Sequence, residues 1–188
     1  MSGTVPCAEL VRPSARWRDS YRALVAEFTA ASEKLIPFTL SFAHDDFEAM
    51  LRRLEACAEG IEVEKGFVAH STYWLVRDHA EVVGVSNIRH ALTAGLRREG
   101  GNIGFGIRPS ARRQGLGSML LRQSLIRAAE LGLTRVLVTC AKSNLASSGV
   151  IVSNGGILES EEYLPDRGEV VQRYWIENGS VRDGSLPV

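Results

Sequence analysis

Along the chain the apolar positions change period several times, and each change marks an element. Between about 15 and 32, Trp17, Tyr21, Leu24, Val25 and Phe28 recur at three- and four-residue steps, which predicts a helix with one apolar face. Residues 8–11 read as a short strand closed by Pro13, and Pro37 stops the helix pattern behind, leaving 34–42 as an apolar loop. A second helix is predicted from Asp45 or Asp46, whose carboxylate can accept from the unpaired N–H groups of a first turn. Phe47, Met50, Leu51 and Leu54 form its buried stripe, and Gly60 ends it. Residues 71–77 are β-branched and aromatic, 78–81 are a polar turn, and 82–90 return as the second arm of a hairpin. Residues 92–100 are polar and glycine-bounded, hence a loop.

The stretch 101–117 organises the rest. Ile103, Phe105 and Ile107 alternate with Asn102, Gly104 and Gly106, a strand with almost no side chain on one face. Such a face lets another backbone or a ligand lie close. Pro109 ends the strand, and Arg112, Arg113 and Gln114 lead through Gly115 and Gly117 into a helix over about 116–131. Leu120, Leu121, Leu125, Ala128 and Leu131 share its buried face, and Gly132 is placed to stop it. Residues 135–140 are nearly all apolar, as a buried parallel strand is, so strand, helix and strand predict a right-handed βαβ crossover. A short helix from the Asn144 region, closed by Gly155, and two strands over 157–163 and 170–176 follow. A polar tail after about 178 is expected to fray.

Glycines at a helix start bring backbone N–H groups close to an anion, and the helix dipole and nearby arginines favour a phosphate. The pattern Arg112-x-x-Gly115-x-Gly117 resembles the acyl-CoA-binding loop of the GNAT family of N-acetyltransferases, and Asn144-x-x-Ser147 is similar to that family's second signature. The resemblance covers about 70–177. It implies an α/β (α+β) GNAT fold: one mixed, mostly antiparallel sheet with a central βαβ unit and helices on both faces, in a single domain over 1–188. It implies acetyl-CoA as co-substrate, its pyrophosphate on N–H groups of Arg113, Gln114, Gly115, Leu116, Gly117 and Ser118, with Arg112 beside them. The pantetheine arm would pair with backbone near Ile107 and use the room left by Gly104 and Gly106, and Asn144 would contact the cofactor or else simply cap its helix. The loop 34–42 either covers the core or covers the acceptor, a small-molecule or peptide amine. The reading is compatible with a homodimer.

Composition narrows the partners. Lys+Arg and Asp+Glu both number 22, so the net charge of zero opposes broad binding to nucleic acid or membrane. The basic group Arg108, Arg112 and Arg113 is local, as a small anion requires. No apolar run reaches the roughly 18 residues of a membrane span, and the N-terminus lacks the order of a signal peptide. Cys7, Cys57 and Cys140 have no zinc or redox spacing, so reduced thiols in the cytoplasm are expected.

Acyl transfer to an amine needs the thioester held, its carbonyl polarised and the amine deprotonated. His90, at the end of a strand, has a suitable intrinsic pKa for a base; a structural histidine bonded to backbone is the alternative. His44, His70 and His79 show no metal-like or triad-like spacing. Cys140 is expected to be packed and inert rather than acylated. The family often carries a tyrosine seven residues after the motif asparagine, able to protonate the departing thiolate; here that position is Ile151. Ser147, Ser148 and Tyr163 are the nearby hydroxyls. A catalytically silent acyl-CoA sensor is the rival reading, and a P-loop nucleotide binder is opposed by the absence of Gly-x-x-x-x-Gly-Lys-Ser/Thr.

Overall fold

The computed structural model describes residues 7–61 and 63–179. From 180 on, the tail expected to fray lies outside the described residues. Strand β1 (Ala8–Val11) leads through a 3-10 turn (Ala15–Trp17) into α1 (Arg18–Ala30), so the helix read over 15–32 is trimmed at both ends. Its buried residues are Tyr21, Leu24, Val25 and Phe28. After a second 3-10 turn (Phe38–Ser41) comes α2 (Phe47–Ala58). Its cap is Asp46, which accepts from Ala49 N at 2.9 Å. Then follow β2 (His70–Arg77), β3 (Glu81–Arg89), a short α3 (Ala94–Arg98), β4 (Ile103–Ile107) and α4 (Leu116–Glu130). The last elements are β5 (Arg135–Ala141), α5 (Leu145–Ser153), β6 (Ile157–Leu164) and β7 (Glu169–Glu177). The helix α3 lies where a bare loop was expected; Thr93 caps it by accepting from Leu96 N.

The element order, the α/β class and the antiparallel pairing stand. The expected single sheet is in two pieces: an antiparallel sheet β1-β2-β3-β4 and an antiparallel sheet β5-β7-β6. They meet at Asn102. Its N–H donates to Leu137 O at 2.7 Å, but Leu137 N–H donates to the Asn102 side chain, Oδ1, at 2.9 Å. A side chain takes the place of the next backbone carbonyl, so a ladder cannot propagate from there. The order strand–helix–strand is kept, without strand pairing between β4 and β5.

The four-stranded sheet is covered on both faces. Trp74, Val76 and Val85 pack with α1 and α2; Tyr73, Leu75, Val83 and Ile88 pack with α4. Val136, Val138, Tyr174 and Ile176 extend the α4 core under the second sheet, joined by Ile151 of α5. No described helix is long and apolar enough to cross a membrane.

Candidate functional site

The chain leaves β4 through a 3-10 turn (Pro109–Ala111) and reaches α4 through two left-handed residues, Arg113 at φ 63° and Gly115 at φ 76°. Gly115 stands at the cap position and offers no side-chain acceptor. The first helical bond is Met119 N to Gly115 O at 3.2 Å. Among the described residues, the N–H groups of 113 through 118 therefore have no protein acceptor. Left-handed residues spaced this way turn successive N–H groups into an anion-holding concavity, and the helix N-terminus adds its partial positive charge. Ser118 is held at the side: its hydroxyl meets Ser153 Oγ at 3.1 Å and Asn154 Nδ2 at 3.0 Å. Gln114 accepts from Arg77 at 2.9 Å.

The arginines are less available than their spacing suggested. Arg108 Nε donates to Glu27 at 2.7 Å, and its Nη1 lies 3.1 Å from Glu81. Arg112 forms a two-pronged pair with Glu33 at 2.8 and 2.7 Å, while its Nε donates to Ile107 O at 3.1 Å. The hydrogen bonds from Arg112 hold the Glu33 carboxyl below the usual range, and Glu33 in turn raises Arg112. Burial would raise Glu27, but bonds from Ser110 and Arg108 outweigh it and lower it. Arg113 alone keeps an exposed, unpaired guanidinium among the described residues of this group.

Strand β4 offers an edge but no vacant face. Arg108 N donates to Val83 O and Arg89 N to Asn102 O, so by the alternation of an antiparallel ladder the N–H and C=O groups of Phe105 and Ile107 point away from β3. Among the described residues no strand pairs with that side. The glycine face, by contrast, is filled by the chain itself. A Cβ on Gly106 would overlap the Ile36 carbonyl, and one on Gly104 would meet Arg89 at 3.3 Å and Pro37 at 3.5 Å. The room expected there for a pantetheine arm is occupied by the Ile36 carbonyl and the side chains of Pro37 and Arg89. The close approach was legible in the glycines; its occupant was not.

The remaining candidates divide. Asn144 caps α5, its Oδ1 accepting from Ser147 N at 3.0 Å. His90 meets Ser71 Oγ on β2 through Nε2 at 2.9 Å, on the side of β3 away from β4, and burial lowers its pKa. The geometry does not bring it to the open edge. His70, 2% exposed, is bonded to Asn87 at 2.9 Å, and burial, with Arg89 next, holds its pKa down to about 4. Burial pushes the Cys140 thiol up to about 11, in keeping with a packed, protonated sulfur. Sequence reasoning missed Glu27 and Glu33, whose partners lie about 80 positions away and obey no local spacing. It also missed Tyr174, buried with Ile151 and donating to Gln172 at 2.8 Å. No group of three metal-ligating side chains occurs among the described residues.

The model of the acetyltransferase (GNAT) domain family matches residues 15–157. No curated protein matches the sequence. Several solved structures share the fold. An acetyltransferase from Salmonella typhimurium that modifies the N-terminal serine of ribosomal protein L7/L12 is 19% identical, with 93% of this chain and 96% of that one covered at a TM-score of 0.64. RimJ of Mycobacterium smegmatis, in complex with CoA-disulfide, is 16% identical over 95% and 86% at 0.67. The dodecameric spermidine N-acetyltransferase of Vibrio cholerae is 13% identical over 91% and 94% at 0.60. At these identities the likeness is one of fold.

Proposed function

The chain belongs to the GNAT acetyltransferase family, and from that premise we propose that it moves an acetyl group from acetyl-CoA to the amine of a small molecule or a protein. The observation that carries this reading is the run of N–H groups at 113–118 without a protein acceptor, beside a β4 edge without a partner strand. The N–H groups of 113–118 would hold the pyrophosphate, with the exposed Arg113 guanidinium as counter-charge. The edge groups of Phe105 and Ile107 would pair with the pantetheine arm, which would enter by the edge because the glycine face is filled. The amine, having lost its proton to water, would attack the thioester carbonyl; the C–N bond forms, the C–S bond breaks, and CoA would leave as the thiolate and take a proton from water, giving an N-acetyl product. The arrangement holds the donor and orients its carbonyl; His90 is left out, because its ring is turned to β2. The solved neighbours, one acting on a protein N-terminus and one on spermidine, define the two acceptor classes to try first.

Two measurements test this. CoA titrated calorimetrically into Gly117→Leu should bind at least a hundredfold more weakly than into the wild type, about 2.7 kcal/mol. A Cβ there also comes within 3.2 Å of Val150, so Val150→Ala in the same chain should restore packing without restoring binding. Unchanged affinity in a folded variant would move the cofactor elsewhere. Thiol release from acetyl-CoA should accelerate with a polyamine or an N-terminal peptide in the assay. Silence across such a panel with CoA binding intact would make the protein an acyl-CoA sensor.

A further inference from the structure

One side chain touches both the edge assigned to the cofactor and the root of the segment that fills β4's glycine face. Arg112 Nε donates to Ile107 O at 3.1 Å, on the open edge; its two terminal nitrogens hold Glu33, just past the end of α1. Three residues on, Ile36 O presses against Gly106 and Pro37 lies beside Gly104. The Arg112 guanidinium also lies 5.5 Å from the Phe28 ring, whose edge a Cβ on Gly106 would contact at 3.4 Å. A parallel tie joins the same two parts. Glu27 accepts from Arg108 Nε at 2.7 Å, Ser110 N at 3.0 Å and Ser110 Oγ at 3.1 Å. Two carboxylates, Glu27 in α1 and Glu33 just past its end, thus set the turn from which the N–H run begins, and the chain runs from them directly into the 34–42 segment.

We infer that Glu33, acting through Arg112, is a positioning residue that couples occupancy of the cofactor loop to the placement of the 34–42 segment on β4. The inference rests on the acetyl-CoA reading above. The physical basis is that Arg112 is bonded at once to the edge carbonyl beside which the cofactor arm must lie and to the carboxylate at which the segment begins. Two-pronged arginine–carboxylate pairs fix orientation as well as distance. A shift of Ile107 or of residue 113 is therefore transmitted to residue 33 instead of being absorbed by a loose side chain. Coupling of this kind is reciprocal: what the cofactor does to the segment, the segment does to cofactor affinity.

The experiment uses the full chain and CoA itself. Calorimetry should give Glu33→Gln about tenfold weaker CoA binding than wild type, and Glu130→Gln, which removes an exposed pair on the far end of α4, no change. In hydrogen exchange on the unmodified protein, CoA should slow amides in 31–42 as well as in 108–118. Wild-type affinity in Glu33→Gln overturns the inference. So does protection confined to 108–118, which also decides the matter if the variant does not fold. Failure of the wild type to bind CoA is a different result, and removes the acetyl-CoA reading together with everything built on it.

Discussion

Two pairs of glycines flank Ile107, and they serve opposite purposes. Gly104 and Gly106 are bare so that the 36–37 segment and Arg89 can lie on β4; Gly115 and Gly117 open a helix start whose first N–H groups have no protein acceptor among the described residues. A Cβ on Gly106 would run into the Ile36 carbonyl, whereas one on Gly115 meets nothing within 4 Å. The polar groups follow the same division. Arg108, Arg112, His70 and His90 have protein partners, whereas the N–H groups of 113–118 have none among the described residues. On the proposed reading, a polar or bare position already satisfied by the chain is structural, and one left unsatisfied next to an open edge is where the ligand would bind.

The strongest way to break that division is to fill both kinds of glycine. Gly106→Val forces two methyl groups against a backbone carbonyl that cannot swing aside, and overpacking of this kind should cost about 3 kcal/mol in urea unfolding. Gly115→Asn keeps a residue that accepts left-handed backbone and should stay within about 1 kcal/mol of wild type. If the Gly106 variant were as stable as wild type, the 36–37 segment would not be seated on β4 and the division would fail.

A smaller effect separates these two histidines. An unfolded histidine takes its proton near pH 6.5, but buried His70 resists until about pH 4. Between those values the unfolded chain binds more protons than the folded one, so stability falls as pH drops, by up to roughly 3 kcal/mol. His70→Gln should flatten that part of the pH–stability curve; an unchanged curve would mean that another group carries it. His90→Ala should lose about 1 kcal/mol with its Ser71 bond and keep the wild-type pH–rate profile. Loss in that variant of the limb that rises with pH would return His90 to the chemistry as a base.

Helices and strands were legible because their burial has a short period. The stripe Tyr21, Leu24, Val25 and Phe28 and the alternation Ile103, Phe105, Ile107 need only neighbours in sequence, and both appear where the pattern puts them. The glycine-rich helix start was legible for the same reason. The sheet break was not, because it depends on one Asn102 side chain reaching Leu137. Nor was the fate of the arginines: Arg112 looks the same in sequence whether it faces a phosphate or Glu33, and only the fold brings α1 to it. The occupant of the glycine face was hidden likewise. Bare strand residues announce a close approach without naming what approaches.

The finest test concerns the departing thiolate, for which the position matching the family's tyrosine offers Ile151, fully buried in the core. Two of the nearby hydroxyls, Ser148 and Tyr174, donate within the chain. Ser148 Oγ donates to Leu145 O at 3.1 Å, and Ser147 stands in the first turn of α5, its N–H taken by Asn144. Tyr163 is 59% exposed on β6, separated from β5 by β7. Tyr174 shares the buried cluster with Ile151, but its proton is committed to Gln172, and burial raises its pKa. A thiolate whose conjugate thiol has a pKa of about 8.5, by analogy with free cysteine, can leave near neutrality without an acid. Ser147→Ala, Ser148→Ala, Tyr163→Phe and Tyr174→Phe should therefore each lower turnover at saturating acetyl-CoA less than tenfold, or about 1.4 kcal/mol of barrier. A hundredfold loss in any one of them, with CoA affinity intact, would identify an acid. It would also show that a hydroxyl already satisfied by the chain can still serve the chemistry, which is the point at which the division between filled and empty positions would give way.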